Sequence, residues 1–107
     1  MTVISCTYNG DGQTTLQHSD NQAEIRTDLP PDNGGKGREF SPTDLFASSL
    51  GSCAMTIMGY MAESQGQSIT GTRVTIDKEM GANPRRVAKI ILRFEFPESV
   101  DAGNRKK

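Results

Sequence analysis

Hydrophobic and polar positions change period along the chain, and each change marks an element. Over Thr2–Tyr8, Val3, Ile4, Cys6 and Tyr8 are interleaved with Ser and Thr, a β-leaning stretch that runs into Asn9, Gly10, Asp11 and Gly12, a strong hairpin signal. A second strand is predicted over Gln13–His18 and a third over Gln22–Thr27, with Ala23 and Ile25 on one face. Leu29 to Arg38 is too rich in Pro and Gly for regular structure and reads as a mobile loop. From Ser41 to Gln65 the pattern is helical. Ser41 is the N-cap, Pro42 stands at the first helical position, Asp44 at the third makes a near capping box, and Gly66 is the C′ residue. Beyond it, Val74 and Ile76 alternate with Arg73, Thr75 and Asp77, and Gly81, Ala82, Asn83 and Pro84 make a turn. In the strand Val87–Phe96, Ile90, Leu92, Phe94 and Phe96 point one way and Lys89, Ile91, Arg93 and Glu95 the other. Pro97 stops this strand, and Val100–Lys107 reads as the opening of a helix. The expectation is one α+β domain over residues 1–107: an antiparallel strand meander, a long central helix, and a second pair of strands.

The helix carries no charged residue between Asp44 and Glu63, and from Leu45 to Met61 its apolar residues occupy every side. Such a helix is expected to be buried all round, in protein or in lipid. Ser48, Ser49, Gly51, Ser52, Thr56 and Gly59 weaken its hydropathy and favour close helix packing, so no membrane span is expected. Apolar residues make up only 34% of the 107-residue chain, so a partner subunit is expected to complete the core, most simply in a symmetric dimer. Lys and Arg number 12 against 13 Asp and Glu, with no basic run beyond Arg105, Lys106 and Lys107, which excludes a nucleic-acid surface. The N-terminus has no charged segment followed by an apolar one, and a cytoplasmic location is expected.

Candidate chemistry centres on Cys53, near the middle of the helix. Cys6 and Cys53 form no Cys-x-x-Cys pair and His18 is the single histidine, so neither a metal nor a cofactor is expected. A thiol in mid-helix gains little from the helix dipole and needs a nearby cation to become a thiolate. Arg26 and Arg38, in or beside the strand and loop before the helix, are the candidates. Gly51 gives a neighbouring chain room to approach the thiol, and Phe46, Met55 and Met58, with Met61, suit an apolar pocket. The same pocket also fits a non-enzymatic module holding an apolar small molecule.

The string Phe40 to Cys53, with Met55, Thr56 and Tyr60 after it, resembles the first cysteine motif of the OsmC/Ohr family of osmotically induced and organic hydroperoxide resistance proteins. The order of elements resembles the family's N-terminal two-thirds. The resemblance implies an intertwined homodimer with two central helices packed together. It also implies thiol-dependent reduction of organic hydroperoxides, in which Cys53 is the peroxidatic nucleophile, becomes a sulfenic acid, and is resolved by a second cysteine. That second cysteine lies in the family on a helix after the last of these strands, and the sequence reaches Lys107 before any such motif, so an external thiol reductant is expected to take its place. The hydroperoxide reductase branch carries Arg in the first hairpin and Glu in the helix opening. Here the hairpin reads Asn9, Gly10, Asp11, Gly12 and Thr43 stands at the Glu position, so the chain is closer to the OsmC-like branch.

Overall fold

The computed structural model describes residues 1–98, so the helix expected over Val100–Lys107 lies outside the described residues. The element order is β1 (Ile4–Gly10), β2 (Gln13–His18), β3 (Glu24–Asp28), a short 3-10 turn (Pro31–Asn33), α1 (Pro42–Ser64), β4 (Arg73–Gly81) and β5 (Arg86–Glu95). The fold is α+β, one long helix with two antiparallel sheets. Two compact units divide the chain, Met1–Leu45 and the residues from Phe46 onward, and α1 begins in the first and continues through the second.

In the first unit β1, β2 and β3 form a three-stranded meander. The register sets Cys6 opposite Leu16 and Leu16 opposite Ile25, so Ile4, Cys6, Tyr8, Leu16 and Ile25 share one face. The β1–β2 turn is tighter than the four-residue signal implies. Asp11 and Gly12 form it, and a bulge between Tyr8 and Gly10 extends β1 to Gly10. The segment from Leu29 to Arg38 is loop apart from the 3-10 turn, as its Pro and Gly content implies, and its own backbone bonds shape it, with Asn33 N and Gly35 N donating to Pro30 O at 3.0 and 2.9 Å and Gly37 N to Leu29 O at 3.1 Å. Its exit is held as well, because Asp28 N donates to Phe40 O at 3.0 Å and Thr27 bridges Phe40 in parallel.

Helix α1 starts where its cap chemistry dictates. Ser41 Oγ accepts from Asp44 N at 3.0 Å and the Asp44 carboxylate accepts from Ser41 N at 3.0 Å, a reciprocal capping box on a buried serine. At the other end Gly66 takes φ +75°, which lets Gly66 N reach Glu63 O and Gln67 N reach Ala62 O at 3.0 and 2.9 Å, a Schellman closure.

In the second unit β4 and β5 pair with Val74 opposite Phe94 and Ile76 opposite Leu92, which gathers the apolar residues on one face as the alternation predicts. Helix α1 meets this face at Gly51, where a Cβ would stand 2.6 Å from Ile76 Cδ1. The outer face is polar, with Arg93 and Asp77 paired across it. The expectation that α1 is buried all round is not met within one chain. Ala47 and Gly51 are its buried residues, and the half-buried positions Ser48, Ala54, Met55, Met58, Gly59 and Ala62 continue the same face.

Candidate active site around Cys53

The opposite face of α1 is apolar and open. Phe46, Leu50, Cys53, Ile57 and Tyr60 recur every three or four residues along it, with Met61 beside them, and all six are exposed. Tyr60 is 75% exposed and Ile57 54%, far more than such side chains show in a core. Two of the hydroxyls flanking this stripe bond to the helix backbone. Ser49 Oγ donates to Phe46 O at 2.6 Å and Thr56 Oγ1 to Ser52 O at 2.8 Å, so both hydroxyls are turned back onto the helix. Cys53 therefore stands in the middle of a continuous apolar strip, as a free thiol.

The remaining predicted residues fall in three places. Phe46 shares the open face with Cys53, whereas Met55 and Met58 lie on the half-buried face with Gly51, so one helix does not bring the three proposed pocket residues together. Arg26 projects from β3 opposite Thr15 and helps line a polar depression of about 360 Å³ with Asn9, Gln13, Thr14, Thr15 and Glu39. It makes no ion pair among the described residues. Arg38 is committed. Its Nε donates to Asp28 Oδ2 at 2.7 Å and its Nη2 to Asp28 Oδ1 at 3.3 Å, while Nη2 also reaches Asp11 O at 3.2 Å and Nη1 lies 3.3 Å from the Asp11 carboxylate.

Asp28 and Asp11 are the residues that sequence reasoning missed. The Asp28 side chain is fully buried and accepts from Leu29 N, Arg38 N and the Arg38 guanidinium. The Arg38 guanidinium foremost, then the Arg38 backbone N–H, hold its carboxyl down from the ordinary 3.8 to about 2, against the opposing effect of burial. Asp11 is lowered too, chiefly by its hydrogen bond to Lys36, whose Nζ lies 3.0 Å away. Arg38 is raised in turn, first by its hydrogen bond to Asp28. Nothing in local sequence periodicity signals a pair ten residues apart across a loop. Because Asp28 is lowered on folding, its contribution to stability is complete above about pH 4 and disappears as pH falls toward 2. Acid unfolding followed by circular dichroism is expected to show a steeper fall of stability between pH 4 and 2 in wild type than in Asp28→Asn.

The motif and geometry agree with the comparisons. Residues 34–106 match the model of the OsmC-like protein family. The chain belongs to this family. A solved structure described as an osmotic stress induced and detoxification response protein from Psychrobacter arcticus 273-4 is similar to this OsmC-like chain with a TM-score of 0.91. The two are 43% identical, over 99% of this chain and 77% of that one. The organic hydroperoxide resistance protein OsmC from Legionella pneumophila, described also as a predicted redox protein, gives a TM-score of 0.62 at 19% identity, over 88% of this chain and 67% of that one. At that identity the likeness is one of fold. No curated protein matches the chain. The chain is thus an OsmC-like protein.

Proposed function

We propose that this OsmC-like protein is a thiol-dependent peroxidase that reduces organic hydroperoxides through Cys53, working as a cytoplasmic homodimer. The observation that carries the reading is the place of Cys53 at the centre of an exposed apolar stripe. Helix α1 is long and apolar enough by length and composition to cross a membrane. The helix-seam spacing of that stripe and the family's fold favour instead a second copy of the helix as its cover. The dimer then encloses each thiol in apolar surroundings that admit an alkyl hydroperoxide.

In the reaction, the Cys53 thiolate attacks the outer peroxide oxygen, the O–O bond breaks, and the alkoxide leaves with a proton as the alcohol, while the sulfur is oxidised to a sulfenic acid. An external thiol condenses with the sulfenic acid to a mixed disulfide and water, and a second thiol equivalent releases Cys53 and a small-molecule disulfide. A cation is needed to hold the thiolate. The charge of Arg38 already faces Asp28 and Asp11. The competing reading is a binding module that holds an apolar ligand without turnover, favoured by the hydroxyls folded back from the stripe.

The test is loss of cumene hydroperoxide in the presence of dithiothreitol. Wild type is expected to turn over and Cys53→Ser to fall to the uncatalysed rate. Equal rates in the two proteins would sink the peroxidase reading and leave the binding module.

A further inference from the structure

A buried carboxylate and a guanidinium organise the loop that precedes the helix of Cys53. Asp28, buried at the end of β3, receives four hydrogen bonds from Leu29 N, Arg38 N, Arg38 Nε and Arg38 Nη2. Arg38 continues to the carbonyl and carboxylate of Asp11 in the β1–β2 turn, where Lys36 adds a second cation. A bidentate guanidinium on a desolvated carboxylate has one good geometry, so both ends of the segment Leu29–Arg38 are fixed. The next residues inherit that placement. Phe40 O accepts from Asp28 N at 3.0 Å and Ser41 N donates to the Asp44 carboxylate at 3.0 Å, so the network continues without a break into the capping box of α1.

We propose that Asp28 and Arg38 are positioning residues for the thiol chemistry: together they latch residues 38–41 to β3 and so set the first turn of the helix that carries Cys53. The role in catalysis rests on the peroxidase reading; the latch does not. Arg38 acts through its carboxylate partners and not as a partner of the sulfur. A lysine at position 38 can neutralise Asp28 yet cannot span both Asp28 oxygens and the Asp11 carbonyl, so charge and geometry are separable.

Hydrogen exchange, thiol alkylation and peroxide turnover on the full chain test this together, with wild type, Arg38→Ala, Arg38→Lys and Asp28→Asn. In Arg38→Ala and Asp28→Asn, exchange of the backbone amides from Arg38 to Leu45 is expected to rise at least about tenfold while the β4–β5 amides keep their protection. Cumene hydroperoxide turnover is expected to fall about tenfold or more, as misplaced supporting groups cause. The midpoint of the pH profile for Cys53 alkylation is expected to stay where it is in wild type, and Arg38→Lys to recover part of the protection and part of the rate. Unchanged exchange at Arg38–Leu45 overturns the latch. A uniform loss of protection over all strands marks a general stabiliser and also overturns it, and an alkylation midpoint displaced upward in Arg38→Ala makes Arg38 a direct thiolate partner. If wild type turns over no peroxide, the peroxidase reading fails by itself, and the exchange pattern still decides whether the latch exists.

Discussion

Replacing Gly51 by leucine is expected to destabilise the protein by about 3 kcal/mol, at the upper end of what overpacking a filled site costs. Helix α1 approaches β4 at this residue so closely that a Cβ would lie 2.6 Å from Ile76 Cδ1 and 2.9 Å from its Cγ1, with Val74 Cγ1 at 3.6 Å. Two opposed effects act on small replacements. Alanine gains about 1 kcal/mol of helix propensity over glycine. The same methyl must displace Ile76, which can swing its terminal carbon but sits in register between Leu92 and the helix. Gly51→Ala is therefore expected to change stability little, and the branched leucine side chain to find no room. Thermal unfolding should place the leucine variant roughly 15 °C below wild type. Pairing Gly51→Leu with Ile76→Ala should restore a good part of that loss, because the two changes act on one contact and are not additive. A leucine variant as stable as wild type would mean that α1 does not rest on β4 through Gly51.

The elements that were legible in the sequence are those whose chemistry is local. Ser41, Pro42 and Asp44 fix the start of α1 and Gly66 its end, because a cap is made by side chains within one turn of the groups it satisfies. The alternation in β5 likewise survives, with Ile90, Leu92 and Phe94 half-buried and Lys89, Arg93 and Glu95 exposed. Errors arise where a distant partner decides. Strand β3 runs to Asp28 because Phe40 pairs with its end, and β1 reaches Gly10 because of a bulge that no residue type announces. The Leu29–Arg38 segment looks unstructured by composition, yet a buried aspartate outside it organises it. Apolar residues on both faces of α1 could not reveal which face meets β4; the two glycines that approach side chains, Gly51 and Gly59, lie on one side and mark that face. The motif placed Cys53 within α1, but the division of Phe46 from Met55 and Met58 was not legible, since that depends on which face is covered.

The two faces of α1 thus do different work. The Gly51 face is committed within its own unit, and small residues there permit the close approach. The Cys53 face is a stripe with the spacing of a helix–helix seam and has no cover within its own unit. An exposed apolar strip of this kind marks an interaction surface. In the proposed dimer this division ties the chemistry to assembly, since covering the stripe would give the thiol its apolar surroundings.

Ile57→Glu is accordingly expected to turn the protein from dimer to monomer. Ile57 is 54% exposed in the single chain and one turn from Cys53 in the stripe. In a twofold interface every residue near the axis meets its own copy, so the substitution buries two carboxylates facing each other. Removing an unpaired carboxylate from water costs several kcal/mol, and a loss of about 4 kcal/mol weakens association roughly a thousandfold. Sedimentation velocity at micromolar concentration should then show a wild-type dimer and a monomeric Ile57→Glu with unchanged helical circular dichroism, because the Gly51 face still packs on β4. Lys89→Glu, on the exposed face of β5, carries a larger change of charge and is expected to remain dimeric. The monomeric variant should also lose peroxide turnover even though Cys53 is intact, which separates assembly from the nucleophile itself. A dimeric Ile57→Glu would place the subunit contact elsewhere on the chain, and a monomeric wild type would remove the cover that the reaction at Cys53 requires.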